Sequence, residues 1–248
     1  MFKYKIWSDF CSVDGLLDKA DTKLVIPEYI NGAKVIHIGH SAFKDNTDIE
    51  EVWLPDSLLY IRDMAFCNCP NLKIVHFYKS ANPSGKTCIN RAAFKDCINL
   101  EIVSFEVPAM LEFMLDTSSQ FENCYKLKTI QGIFCWYVPS NTFRNCHVLD
   151  NLTFRQTSLN GISFTGTAFA NCKKMKRMTI LGNVDRNMTT NALSRLKKLT
   201  ISCPPNTNTV TFLASIGSNI NLLSVSPLPS DDLADVLAIP EIKEIIGI

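Results

Sequence analysis

AFCNCPNLKIVHF (65–77) and AFKDCINLEIVSF (93–105) are two copies of one pattern: a Phe, a Cys three residues on, then a ladder of the form L-x-x-V-x-F. Working outward, AFKDNTDIEEVWL (42–54) precedes them, and QFENCYKLKTIQG (120–132), TFRNCHVLDNLTF (142–154) and AFANCKKMKRMTI (168–180) follow. Phe43, Phe66, Phe94, Phe121, Phe143 and Phe169 hold the first slot, and Asn46, Cys69, Cys97, Cys124, Cys146 and Cys172 hold the second. Beyond them the Phe and Cys drop out, yet Leu196/Leu199/Ile201, Ile220/Leu223/Val225 and Ile242/Ile245 carry the ladder on. That gives nine turns, at steps of 23, 28, 27, 22, 26, 21, 24 and 22 residues. A second apolar position lies five residues before most of the phenylalanines, at Ile38, Ile61, Ile89, Val138 and Phe164.

The ladder segment is short, alternating and rich in Ile, Val and Leu, so it reads as a strand. The period leaves room for one strand and a compact return path, with at most a helical turn at the AFxxC corner. One such turn cannot bury its apolar face alone, so neighbours stack and share a continuous core. At about 4.8 Å per stacked strand, nine turns make a rod of roughly 40 Å. The expected fold is therefore a repeat solenoid with a parallel β-sheet on one face and short helical turns and loops on the return path.

The string IPEYINGAKVIHIGHSAFKDNTDIEEVWLPDSLLYIRDMAF (26–66) resembles the BspA-like class of leucine-rich repeats, whose consensus runs roughly IPxSVxxIGxxAFxxCxxLxxV. The resemblance covers residues 24–180 well and 181–248 as degenerate repeats. Residues 1–25 resemble the strand-rich N-terminal cap of that class, which leaves 26–248 as solenoid within one continuous domain. The departures are the Pro lost after the third turn and the missing Phe and Cys in the last three. The resemblance implies adhesion or protein binding at microbial surfaces.

Composition bounds the function. Of the 248 residues 46% are hydrophobic and 20% charged, and the net charge of +1 gives no general pull toward nucleic acid or an anionic membrane. No apolar run reaches the ~18 residues of a membrane span. The opening MFKYKIWSDFCSVDG has no long apolar stretch and no small-residue cleavage site, so it does not read as a signal peptide. The chain is then expected to be made in the cytoplasm, with incorporation into a virus particle open and the cell surface less favoured.

Ten cysteines would suit a disulfide scaffold, but such scaffolds are short and poor in core, unlike this chain. The five in-register cysteines read as small apolar groups at a crowded corner, where Cys is among the most buried residue types. A zinc site would need four converging ligands. Cys67 falls at an outward slot of the repeat.

SANPSGKT (80–87) ends like a phosphate-binding loop, but Ser80 stands where that motif needs its first glycine, and the segment fills the longest step of the repeat as an insertion. His37, His40, His76 and His147 form no recognisable catalytic set, and no carboxylate pair stands out as acid and base. The sequons at Asn151 and Asn187 matter only after export from a glycosylating cell. The reading is a non-enzyme with no cofactor and no metal.

What remains is the surface. The x positions of the ladder point away from the core. They offer Glu51, Trp53, His76, Lys128, Lys176, Arg177, Lys197 and Lys198 as binding-surface candidates. Residues 45–63 carry six acids against Arg62, whereas 173–198 carry eight bases against Asp185, so the rod changes sign along its length. This is either an ordinary solvated face or a dipolar docking surface. The partner is then another protein or surface macromolecule; nucleic acid is disfavoured because aromatics do not interleave with the bases. The rival reading is a structural subunit of a larger assembly, such as a phage particle. Ile242, Ile245, Ile246 and Ile248 at the C-terminal edge would then pack against a neighbouring chain, since an open apolar strand edge invites pairing.

Overall fold

The computed structural model describes residues 1–79, 81, 86–106, 110–113, 117–130, 133–156 and 162–181, together with strands at 198–201 and 223–225. It is a parallel β-solenoid with two walls. One wall holds the ladder strands β3 (Lys23–Val25), β6 (Glu51–Pro55), β8 (Ile74–Tyr78), β10 (Ile102–Phe105) and β12 (Thr129–Ile130). Leu24, Val52, Val75, Val103 and Ile130 lie in register across it, as do Leu54, Phe77 and Phe105. Alternation puts the first of these sets inside, where each is at most 5% exposed, and hands the intervening side chains to solvent.

The second wall begins with the hairpin β1 (Phe2–Trp7) and β2 (Phe10–Leu16). It runs on through β5 (Ala33–Ile38), β7 (Tyr60–Ile61), β9 (Lys86–Ile89), β11 (Met110–Phe113) and β13 (Ile133–Cys135). A short β4 (Tyr29–Ile30) folds back onto β5. The hairpin seats on the first turn through Gly15, where φ is 138° and a Cβ would meet the Ala42 carbonyl oxygen at 2.8 Å. The second apolar position forms a column here: Ile38, Ile61, Ile89 and Phe113 are in register. Phe113 fills the slot that the spacing left empty in the fourth turn. Val138 and Phe164 pair separately, in β14 (Tyr137–Val138) and β16 (Ser163–Phe164).

The two walls meet at the fifth turn. There β15 (Asn151–Gln156) pairs with β13 rather than β12, and β17 (Arg177–Leu181), β18 (Lys198–Ile201) and β19 (Leu223–Val225) continue from it. About six complete turns are described, fewer than the nine the spacing predicts; the Ile242/Ile245 turn lies outside the described residues. The helical turns are also corrected, because no helix occurs among the described residues.

The AFxxC corner shows why. At the corners from Phe43 to Phe143 the Phe N–H donates to the turn that follows (Phe43 to Ala65 O, Phe66 to Ala93 O, Phe94 to Gln120 O), while the next N–H closes a local turn, as from Lys44 to Ser41 O. Alternate donors thus leave for the neighbouring turn, and a helix would need them all inside its own segment. The backbone keeps this pattern by left-handed residues two after each Phe and two before each one from Phe43 to Phe143, such as Met64 and Asn68 (φ 55° and 57°) or Asn141 and Asn145 (φ 61° and 63°). Asn and Asp are the residues that reach this region most cheaply after glycine. They also join into a side-chain ladder: Asn145 Nδ2 donates to Asn123 Oδ1 at 2.6 Å, and Asn171 Nδ2 to Asn145 Oδ1 at 2.9 Å.

The phenylalanines stack in one buried column. Ring centroids from Phe43 to Phe169 are separated by 5.0, 5.3, 5.3, 5.8 and 5.5 Å, with interplanar angles of at most 13°. Each in-register cysteine satisfies a buried carbonyl of the previous turn. Cys69, Cys97, Cys124, Cys146 and Cys172 donate to the backbone oxygens of Phe43, Phe66, Phe94, Phe121 and Phe143, at 2.9–3.2 Å. Asn46 plays a different part in the first turn, where its Oδ1 accepts from the Asp48 and Ile49 amides. Cys67 is not at an outward slot as the repeat pattern suggests, since it is only 7% exposed.

Candidate interaction surface

On the solvent face of the ladder wall, Val25, Trp53, His76 and Ser104 occupy one row across four adjacent strands. The Trp53 ring lies 4.3 Å from the imidazole of His76, and the ammonium of Lys23 sits 4.1 Å above the indole. The indole N–H donates to Glu51 Oε2 at 3.3 Å, so three residues from three strands converge on one aromatic plate. His76 is held in turn by Ser104 Oγ at 2.8 Å from Nδ1 and by Glu106 Oε1 at 3.5 Å from Nε2. Glu106 also accepts from the Lys79 amide, and these contacts hold its carboxyl below the usual range. Beside the row lie Ile74 and Ile102, in register with Lys23 and Glu51 and only partly covered.

The Ser104–His76–Glu106 line has the residue types of a hydrolytic triad, which sequence spacing alone did not suggest. Its setting is different. Ser104 lies within a regular strand rather than on the strained turn that exposes a nucleophile. The other histidines are apart from it: His37 packs between Phe10 and Tyr60, His40 bonds Ser41, and His147 stacks on Tyr125. Lys86 and Thr87, the end of the phosphate-loop-like segment, belong to β9: Lys86 pairs with Glu112, and Thr87 donates to the Leu58 carbonyl at 2.9 Å.

A second feature escaped sequence reading. Two residues before the inward ladder position, Glu50, Lys73, Glu101, Lys128, Asp150 and Lys176 alternate in sign along the rod. Lys73 bonds Glu50 at 2.6 Å, Lys128 bonds Glu101 at 2.5 Å, and Arg177, one residue past the column, bonds Asp150 at 2.6 Å. The Lys128 ammonium holds the Glu101 carboxyl below its usual range. The alternation was visible once the copies were aligned by position instead of counted by segment. Within 45–63, Asp48 and Asp63 pair with Lys19 and Arg91, while Asp56 is buried.

Of the candidates, the structure brings Glu51, Trp53 and His76 together and sets Lys128 two strands from His76, paired. Lys176 and Arg177 are exposed beyond the junction of the walls. Lys198 opens β18 opposite Arg177 in register, and Lys197 lies outside the described residues, as do Ile242, Ile245, Ile246 and Ile248. Asn151 is exposed on β15, whereas Asn187 lies outside the described residues. Among the described residues no group of three or more His, Cys, Asp or Glu could hold a metal ion, and no helix is long and apolar enough to cross a membrane.

The sequence matches, in six copies, the family described as BspA type leucine rich repeat region, over residues 22–135, 80–200 and 118–226. No curated protein sequence matches it. Among solved structures, the leucine-rich repeat protein of T. pallidum is 18% identical, with a TM-score of 0.47 over 96% of this chain and 92% of that one. A leucine-rich cell surface protein of Faecalibacterium prausnitzii is 14% identical, with a TM-score of 0.40 over 95% of both chains. A leucine-rich repeat protein of Bacteroides ovatus is 15% identical, with a TM-score of 0.40 over 92% of this chain and 76% of that one.

Proposed function

This chain belongs to the BspA-type leucine-rich repeat family, and from that premise we propose that it is a non-catalytic interaction protein that docks a partner protein on the solvent face of its ladder wall. The observation that carries the reading is the Lys23–Trp53–His76 plate. A large aromatic held by a cation on one side and an oriented imidazole on the other is pre-organised, so binding loses little side-chain entropy there. Trp is also the residue most often found to dominate interface energies. The flanking column of alternating charges supplies a polar rim and a register for the partner rather than a long-range pull. Lys176, Arg177, Lys197 and Lys198 are proposed as its basic extension.

The test is capture from the native cell extract by the wild-type chain and by the Trp53→Ala/His76→Ala double variant. A Lys44→Ala variant at the corner serves as control. Loss of the same captured species in the double variant alone supports the reading; equal capture by all three contradicts it.

An assembly subunit is the second reading. One observation favours it: β1 pairs only with β2 among the described strands and exposes Ile6 (42%) and Trp7 (46%). An open edge with apolar side chains suits a neighbouring chain. Light scattering on the purified protein separates the two, since a monomer at high concentration removes the favoured ground for assembly.

A further inference from the structure

Among the described strands β1 pairs with β2 alone, and its residues 3–7 are all exposed. The hairpin fixes which of its backbone groups are free. Trp7 pairs with Phe10 across the two-residue turn at Ser8 and Asp9, where Ser8 takes φ 56°. The pair that closes such a turn exchanges hydrogen bonds, and bonded and non-bonded pairs alternate from there. Trp7 and Lys5 therefore direct their N–H and C=O groups at Phe10 and Ser12 of β2, while Tyr4 and Ile6 turn theirs to the open side. The side chains alternate too. Tyr4 and Ile6 lie on the face of Val13 and Cys11, whereas Lys3, Lys5 and Trp7 lie on the opposite face, where Trp7 stacks on Phe10 at 5.7 Å. Lys3 has no ion-pair partner among the described residues, and Lys5 reaches Asp14 at 3.8 Å, long for an ion pair.

We propose that β1 is the acceptor edge for an extended segment of a partner protein in which acidic and apolar residues alternate. Such a segment adds a strand to the sheet, and its backbone takes up the open groups of Tyr4 and Ile6. Its apolar side chains then lie beside Tyr4 and Ile6, and its acids beside Lys3 and Lys5. Charge argues against a second copy of this chain as the occupant. In an antiparallel ladder, residues that bond outward must pair with residues that bond outward. Between two copies of β1, the register centred on Tyr4 sets Lys3 against Lys5, and the register centred on Lys5 sets Lys5 against itself. Like charges directly opposite are destabilising. Lysines on an open edge thus hold off self-pairing and admit an acid. The inference rests on the same open edge as the assembly reading and names its occupant; a monomeric chain that binds the segment would support it while removing the assembly reading. It does not depend on docking at Trp53.

The experiment is fluorescence anisotropy of the full chain with labelled octapeptides of alternating Glu and Val, or of alternating Lys and Val. The Glu–Val peptide is expected to bind about tenfold more tightly than the Lys–Val peptide. Lys3→Glu/Lys5→Glu should invert that preference. Ile6→Pro should remove binding, because it deletes an N–H aimed at the incoming strand and none that β2 uses. Trp53→Ala should leave binding unchanged. Equal binding of the two peptides overturns the proposal, as does a preference that charge reversal leaves in place. Binding that survives Ile6→Pro at an unchanged melting temperature overturns it, and so does failure of the Glu–Val peptide to bind at millimolar concentration. Self-association of the wild-type chain that Ile6→Pro abolishes would give the edge to a second copy and overturn it as well.

Discussion

Truncating Phe94 to Ala probes the stacking that unites the turns. The side chain is fully buried and lies in the middle of the column, 5.3 Å from Phe66 and 5.3 Å from Phe121, with interplanar angles of 1° and 4°. Removing a buried Phe costs about 3–5 kcal/mol through lost transfer energy and the cavity left behind. Each aromatic pair adds about 0.5–1.5 kcal/mol beyond burial. Phe43 stands at the end of the column with a single stacked neighbour and 3% exposure. Phe43→Ala should therefore cost about 1 kcal/mol less than Phe94→Ala. Each turn of a solenoid is coupled chiefly to its neighbours, so the central variant weakens two interfaces and the terminal one a single interface. Equilibrium urea unfolding, followed by circular dichroism, measures both. A loss below about 1 kcal/mol for Phe94→Ala, or an equal loss for the two variants, would refute the stacking argument.

Asn145→Ala should cost about 2–3 kcal/mol, because Ala tolerates φ 63° less well than Asn and removes bonds to Asn123 and Asn171; Asn145→Gly, which has no Cβ, should recover about 1 kcal/mol of this in the same urea assay. Cys97→Ala leaves the buried Phe66 carbonyl without its donor and should cost about 1–3 kcal/mol. Burial pushes the Cys97, Cys124 and Cys146 thiols well up, so iodoacetamide at neutral pH should modify them only after unfolding, as mass spectrometry would read. Folded thiols that hold their protons longer than unfolded ones give stability that is whole below about pH 9 and declines above it, visible as a falling melting temperature.

The repeat was legible because its signals are periodic. Phe43 to Phe169 and Cys69 to Cys172 recur in phase, and the structure stacks them as their phase requires. The corner was misread because AFxxC allows a helical turn locally, while the outcome turns on where alternate N–H groups go, which only the neighbouring turn decides. Its signal was present as Asp45, Asn68, Asp96, Asn123, Asn145 and Asn171, all two residues after a Phe and all left-handed. Phe113 was missed because it lies eight residues before Phe121 instead of five. Whether a row of outward residues becomes a plate depends on cross-strand geometry. The meeting of Lys23, Trp53 and His76 could not be read from a chain in which they lie 30 and 23 residues apart.

The central claim is that the solvent face of the ladder wall, and not the corner, meets the partner. A photoreactive phenylalanine analogue placed at Trp53 in one sample and at Lys44 in another, irradiated in native extract and resolved by mass, tests it directly. Discrete adducts of defined mass from position 53, with none from position 44, are predicted. Adducts from position 44 alone, or the same adducts from both, would contradict the claim.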